Sequence, residues 1–467
     1  MIQLETDHRK TIVEFLRSGM KATGMADEIV PPCQVLLLGG NPLPILVAAT
    51  VLAPKNLILV ATEQTSDFVK PLVEQIKTAV PGVTIRTVEL TRPHDASDLQ
   101  SKLDQVLFDL KLGDKPVGLH YTGGTKTMAV NARMWWEARK VRKERYHCTY
   151  LDGESDSLVF EACPTSLLLS KVEVALANII KLHRIEPADQ APQMPPYFDQ
   201  LLDDLVAVAK GNASDELARL LPKTAILPQL KQNLNQLLAD DPPPSEAIQR
   251  KVEELDGLLT SMPAQNPSWR ITKGLADLLP SLNLTVGADY QALRRPLPEK
   301  YRKEPLVFLK DTWFEALLAR ELERCGAQDI QHSRTFCLPR SGSSKDTFEV
   351  DVLARLGHRP LVMSISTNKK RKELKTKLLE VKQRAEQLGG SLAIVGCAWF
   401  HESSSNTDSL RSLWEELAFG WSSPLPVRVL GLPHLWGERA FTHCEKRGGG
   451  YGPVIQSLAE LVADLKR

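Results

Sequence analysis

Thr122, Gly123, Gly124, Thr125, Lys126 and Thr127 follow one another in the stretch GLHYTGGTKTMAVNARMWW, residues 118 to 136. Two residues without side chains are flanked by hydroxyls and an ammonium group, a set suited to holding an anion. Glycines let backbone N–H groups approach a ligand closely, and the positive end of a helix beginning just after them adds to the attraction. Lys126 and the hydroxyls of Thr122, Thr125 and Thr127 supply further donors, which suits a phosphodiester. A nucleoside-triphosphatase loop would place glycine directly before the lysine, and Thr125 stands there instead. A plain tight turn carrying a surface lysine uses the same residues, so the motif has to be weighed with its setting.

That setting is a strand followed by a helix. Val117 to Tyr121 is a short apolar run, and from Thr125 onward Met128, Ala129, Ala132, Met134, Trp135 and Ala138 recur at helical spacing. The glycine pair therefore occupies a strand-to-helix turn. QVLLLG, NLILVAT, TIRTVEL, PVGLHYT and RYHCTYLD read as five strands with helices between the first four. The alternation predicts an α/β domain built on a mainly parallel, doubly wound sheet, whose ligands sit beyond the carboxyl ends of the strands. A second glycine pair, in LLLGGNPLP, falls at another strand end. Trp135 and Trp136 fit simple packing better than a dimer contact.

Four segments are expected. Residues 1–33 form a helical extension, residues 34–186 the first α/β domain, and residues 187–304 a proline-broken helical connector. Residues 305–467 form a second α/β domain with a helix at TWFEALLARELERCG, a strand pair at TFEVDVLARLGHRPLVMSIST and a basic helix. Within NKKRKELKTKLLEVKQR, the cations Lys369, Lys370, Arg371, Lys372, Lys375 and Lys377 form either a solvated helix face or a nucleic-acid surface.

The 467 residues carry a net charge of +1, so any nucleic-acid binding must come from a local patch. Seven cysteines stand singly, without a CxxC or Cys/His spacing, which argues against structural zinc and a disulfide frame. The first residues are charged where a signal peptide would be apolar, and no run is long enough to span a bilayer, so a cytoplasmic, non-membrane protein is expected.

Taken together, TGGTKTM, GGNPLP, WFE, EVDVL and RAEQLGG resemble the CARF-domain effectors of type III CRISPR systems. The subgroup concerned joins an N-terminal, Rossmann-like CARF sensor to a C-terminal restriction-endonuclease-like domain. The resemblance covers most of the chain from about residue 34, and TGGTK in its strand–turn–helix setting is its most specific part. It implies a homodimer that binds a cyclic oligoadenylate, most of all cyclic tetra-adenylate, whose two-fold symmetry a C2 dimer can match. It implies that Gly123 and Gly124 admit a phosphate, that Thr122 and Thr125 hydrogen-bond phosphate or ribose, and that Lys126 supplies charge. Gly40, Asn41 and Pro42 would shape the opposite wall, and Thr62 would lie at the end of the second strand.

For the second domain the resemblance implies a metal-dependent nuclease core: an Asp on one strand and an acidic-x-Lys on the next. Asp351 matches the first position and would be the metal ligand, and Glu315 matches a helical glutamate. Ser364 and Ser366 stand where the acid and the lysine belong. Catalysis, with magnesium or manganese as cofactor, is therefore expected to be impaired. Glu349, two residues before Asp351, could contribute to a rearranged site with Lys369 or Lys370. The implied function is an activator sensor whose effector domain binds nucleic acid or a protein. The alternatives are an activator-dependent metal nuclease with a rearranged site and a ring nuclease that degrades its own bound activator.

Overall fold

The computed structural model describes Glu14 and residues 30–139, 144–153, 155–164, 166–169, 172–188, 313–338, 347–366, 371–399, 407–418, 427–435, 437–447 and 450–466. The expected connector and almost all of the expected N-terminal extension lie outside these residues, as do Lys369 and Lys370.

The chain forms two α/β units. In the first, β1 (Cys33–Leu37), α1 (Leu43–Leu52), β2 (Asn56–Thr62), α2 (Ser66–Ala79), β3 (Thr84–Leu90), α3 (Ala96–Asp109), β4 (Val117–His120), α4 (Lys126–Ala138) and β5 (Cys148–Asp152) alternate as the sequence predicts. β6 (Ser157–Phe160) and β7 (Ser166–Leu168) complete a seven-stranded sheet of order β3-β2-β1-β4-β5-β6-β7. The first five strands are parallel and the last two antiparallel.

Alternate residues of the central strands face opposite cores. Leu36, Leu57 and Leu59 join α1 and α2, whereas Val35, Leu37, Ile58 and Val60 join α3 and α4. The order therefore reverses between β1 and β4, whose following helices leave to opposite faces. Trp135 and Trp136 are buried in the second of these cores, their ring N–H groups bonded to Asp104 and to the Val117 carbonyl. Every residue of α1, LPILVAATVL, is buried, the signature of a helix enclosed on all sides.

After α5 (Leu176–Leu182) and β8 (Glu186–Pro187), the second unit contains α6 (Trp313–Arg324), β9 (Gln328–Cys337), β10 (Thr347–Leu356), β11 (Arg359–Ser366), α7 (Arg371–Gly389), β12 (Ile394–Trp399), α8 (Thr407–Ala418) and β13 (Val427–Gly431). A short α9 (Leu432–Leu435), a hairpin of β14 (Ala440–Arg447) and β15 (Gly450–Gln456), and α10 (Leu458–Leu465) follow. The six-stranded sheet runs β13-β12-β11-β10-β9-β8. Pairing is antiparallel among β8 to β11 and parallel among β11 to β13.

α5 joins the units. Ile179 and Leu182 belong to the first core, Leu176 and Ile180 to that of the second unit. Across the same junction the buried His358 pairs with Asp156 at 3.1 Å, and Arg355 bonds Asp329, which also accepts from the Leu176 N–H. Among the described residues no helix is long and apolar enough to cross a membrane.

Candidate functional site

The two glycine turns meet at the point where strand order reverses, the crevice in which open α/β sheets bind ligands. Their contact is backbone on backbone. A Cβ on Gly123 would lie 1.9 Å from the Leu37 carbonyl oxygen, and one on Gly39 would lie 2.8 Å from the Gly124 nitrogen. Gly124 has φ +76, a conformation that favours glycine. The glycines at these positions are thus required by the packing of one turn on the other, whatever else they admit. Gly40 differs: nothing lies within 4 Å of the place a Cβ would take, and the residue is exposed.

Around this point the polar groups fall into two sets. Thr125 caps α4, its hydroxyl accepting from the Met128 N–H at 3.2 Å, while Thr125 and Lys126 are both exposed. Lys126 makes no ion pair with the described residues and stands with Thr125 and Thr127 at the exposed start of α4. The other set is committed inward. The Thr122 hydroxyl accepts from the Leu151 N–H at 2.6 Å, and Thr62 is buried in a box with Thr65, whose hydroxyl accepts from the Thr62 N–H at 2.9 Å. Pro42 is buried at the start of α1. The Asn41 amide donates to the Gly389 carbonyl at 2.7 Å, and its oxygen accepts from the Leu43 N–H at 3.1 Å.

Sequence reasoning missed the groups beneath the turn. Tyr121 donates from its hydroxyl to Glu161 at 2.9 Å, and Glu161 also pairs with Arg133 at 2.8 Å. Burial followed by the Glu161 bond pushes the Tyr121 phenol well above its ordinary range. His183 approaches the Asn41 oxygen with Nε2 at 3.1 Å and the Ile179 carbonyl with Nδ1 at 2.9 Å. Burial holds this imidazole down to about 4, and a neutral ring has one N–H to share between those two acceptors.

In the second unit the structure brings Asp351, Ser364, Glu315 and Lys377 together. Asp351 Oδ2 accepts from the Ile365 N–H at 2.6 Å, the Ser364 hydroxyl at 2.8 Å and Lys377 Nζ at 3.2 Å. Lys377 also donates to the Ile365 carbonyl at 2.5 Å. This lysine, expected on the nucleic-acid surface, reaches the acid from α7 and stands near the place left by Ser366. Lys372 and Lys375 remain exposed, and Glu349 is exposed on β10.

Glu315 is buried on α6 and accepts from the Ser333 hydroxyl. Ser333 sits in β9 with φ +49, a strained setting for a residue with a side chain. Burial pushes the Glu315 carboxyl up to about 8, the Ser333 bond opposing and the Asp351 and Glu349 charges adding. A carboxyl whose folded pKa is raised binds its proton more tightly in the folded state. Its contribution is therefore greatest at acid pH and is lost as pH rises from the unfolded value of 4.5 through about 8. Glu315→Gln, which mimics the protonated acid, is expected to match wild type near pH 4 and to exceed it at pH 8 by roughly 2 to 4 kcal/mol. Urea melts at the two pH values check this, and an equal difference at both would show that Glu315 does not titrate there.

These residues do not fit a divalent metal. Burial disfavours a charged Glu315, Asp351 Oδ2 already meets three donors, and Ser364 offers a hydroxyl where a divalent cation favours a carboxylate. Among the described residues no group of three or more His, Cys, Asp or Glu side chains is arranged to hold an ion.

The fold has solved counterparts. Protein VC1899 from Vibrio cholerae superposes with a TM-score of 0.53 at 13% identity, over 86% of this chain and 95% of that one. Can2 from Sulfobacillus thermosulfidooxidans, solved with cyclic tetra-adenylate, gives 0.48 at 17% identity over 82% and 92%. A type III CRISPR defence DNA nuclease activated by cyclic oligoadenylate gives 0.42 at 13% identity over 83% of this chain and 49% of that one. The first of these likenesses establishes a shared two-domain α/β fold. No family model matches the chain, and no curated protein matches it in sequence.

Proposed function

We propose that the chain is a sensor of a cyclic oligoadenylate, cyclic tetra-adenylate foremost, acting in type III CRISPR antiviral defence. Its first unit is a CARF domain and its second a restriction-endonuclease-like effector with impaired cleavage, which binds nucleic acid or a protein partner. The observation that carries the reading is the placement of both glycine turns at the reversal between β1 and β4, with Gly40, Thr125 and Lys126 open to a ligand. A homodimer completes the pocket, and the exposed apolar Val130 and Met134 of α4, just beyond Lys126, support such a partner.

Removing the Lys126 charge deletes a charge-assisted phosphate contact. Lys126→Ala is expected to weaken cyclic tetra-adenylate binding by about 1.5 to 3 kcal/mol per site in titration calorimetry. Unchanged affinity would remove Lys126 from the pocket, and no binding by wild type would remove the reading.

The competing reading, an activator-dependent metal nuclease with a rearranged site, draws on Lys377 standing beside Asp351. An assay with activator and manganese on single- and double-stranded DNA and RNA separates the two. The expected result is binding that falls steeply with salt and shows little sequence preference, with weak or absent cutting. Robust cutting that Asp351→Ala abolishes would establish the nuclease instead.

A further inference from the structure

We propose that α7 is a strut joining the β1 turn to the Asp351–Lys377 pair, with Asn41 as the positioning residue that fixes its carboxyl end. The role of a ligand in moving this strut rests on the sensing function proposed above. The strut itself rests on contacts within the chain.

An asparagine in this turn needs only its Leu43 bond to start α1. Asn41 makes a second bond, from Nδ2 to the Gly389 carbonyl at 2.7 Å, across 348 residues of sequence. The chain turns at once beside it: Gly390 has φ +54, and a Cβ there would lie 2.1 Å from Asn41 Nδ2. Two residues later Leu392 enters the core that α1 and α2 share. The carboxyl end of α7 is thus anchored in the first unit.

The rest of the helix belongs to the second. Leu374, Leu378, Val381, Ala385 and Leu388 form one buried stripe at alternating spacings of four and three, so the helix can shift only as a body. Lys377 lies twelve residues before Gly389, about 18 Å along the axis. At that distance its ammonium reaches Asp351 and the Ile365 carbonyl.

The upper attachment is adjacent to the crevice. Asn41 follows Gly40, and Gly39 packs directly on Gly124. A ligand that parts or tightens the two turns must displace Asn41, and hence the end of α7. The consequence at the far end is a change in how Lys377 meets Asp351. Both sites then bias one packed element, which is what coupling between them requires.

The test measures acylation of lysines by an amine-reactive ester in the full chain, resolved by mass spectrometry, with Lys372 as internal control. Asn41→Ser keeps a short oxygen to start α1 but cannot reach Gly389, and Asn41→Ala serves as the second variant. Without ligand, both variants are expected to change Lys377 labelling at least twofold while Lys372 stays constant. Lys377 labelling unchanged in the folded Asn41→Ser protein overturns the strut. With cyclic tetra-adenylate added, wild type is expected to show a ligand-dependent change at Lys377 that both variants lose. A ligand-dependent change that survives in the variants also overturns it. If wild type binds no cyclic tetra-adenylate, the sensing function fails, and the ligand-free comparison still decides the strut.

Discussion

Gly123→Ala is expected to destabilise the first unit by about 3 kcal/mol or more, because the added methyl has no free direction. Its Cβ would lie 1.9 Å from the Leu37 carbonyl oxygen, 2.9 Å from Ile45 Cδ1 and 3.1 Å from the Gly39 nitrogen. Two of those neighbours are backbone, so relief requires separating the β1 and β4 turns. Gly40→Ala, with nothing within 4 Å, is the matched control and should stay within about 0.5 kcal/mol of wild type. Thermal unfolding of the two variants gives the comparison. A Gly123→Ala protein melting within about 2 °C of wild type would mean that the turns are not in contact.

Asp351→Ala is expected to cost about 3 kcal/mol, since it strands a backbone N–H, a buried hydroxyl and an ammonium group together. The three donors have different fates. The Ile365 N–H is fixed in β11 and cannot find another acceptor, whereas Lys377 is 43% exposed and can turn its ammonium to water. Asp351→Asn keeps one acceptor and should cost less. A double-mutant cycle with Lys377→Met should return a coupling of only about 1 kcal/mol, as befits a half-solvated pair. Urea denaturation measures all of these, and an Asp351→Ala variant as stable as wild type would refute the bonding described.

The five parallel strands and the strand-to-helix glycine turn were legible because apolar runs, helical periodicity and paired glycines are local signals. β6, β7 and β9 were not. SLVF and SLL are too short to carry a period, and QDIQHSRTFC alternates mostly polar residues on a strand near the sheet edge. Lys377 was read with its neighbours as part of a basic face. Its position just before Leu378, at the margin of the buried stripe, is a local signal. Knowing what that margin touches requires the crossing of α7 over β11 and β12, which no window of sequence contains. Asn41 is a similar case: its tie to Gly389 is a tertiary fact, and the residue alone suggests a turn.

β8 has a consequence for any dissection of the chain. Glu186 pairs with Cys337 and Pro187 with Phe336, and the Ala188 N–H adds a bond to the Thr335 carbonyl, so the second sheet already has its outer strand before residue 189. The chain returns at α6, which packs on the same β9. A fragment beginning at residue 305 would uncover the backbone groups of Thr335, Phe336 and Cys337 that β8 and Ala188 cover on the outer edge of β9, a template for strand addition between molecules. Such a fragment is expected to self-associate or precipitate, whereas one beginning before Leu176 retains both the strand and the α5 residues that fill its core.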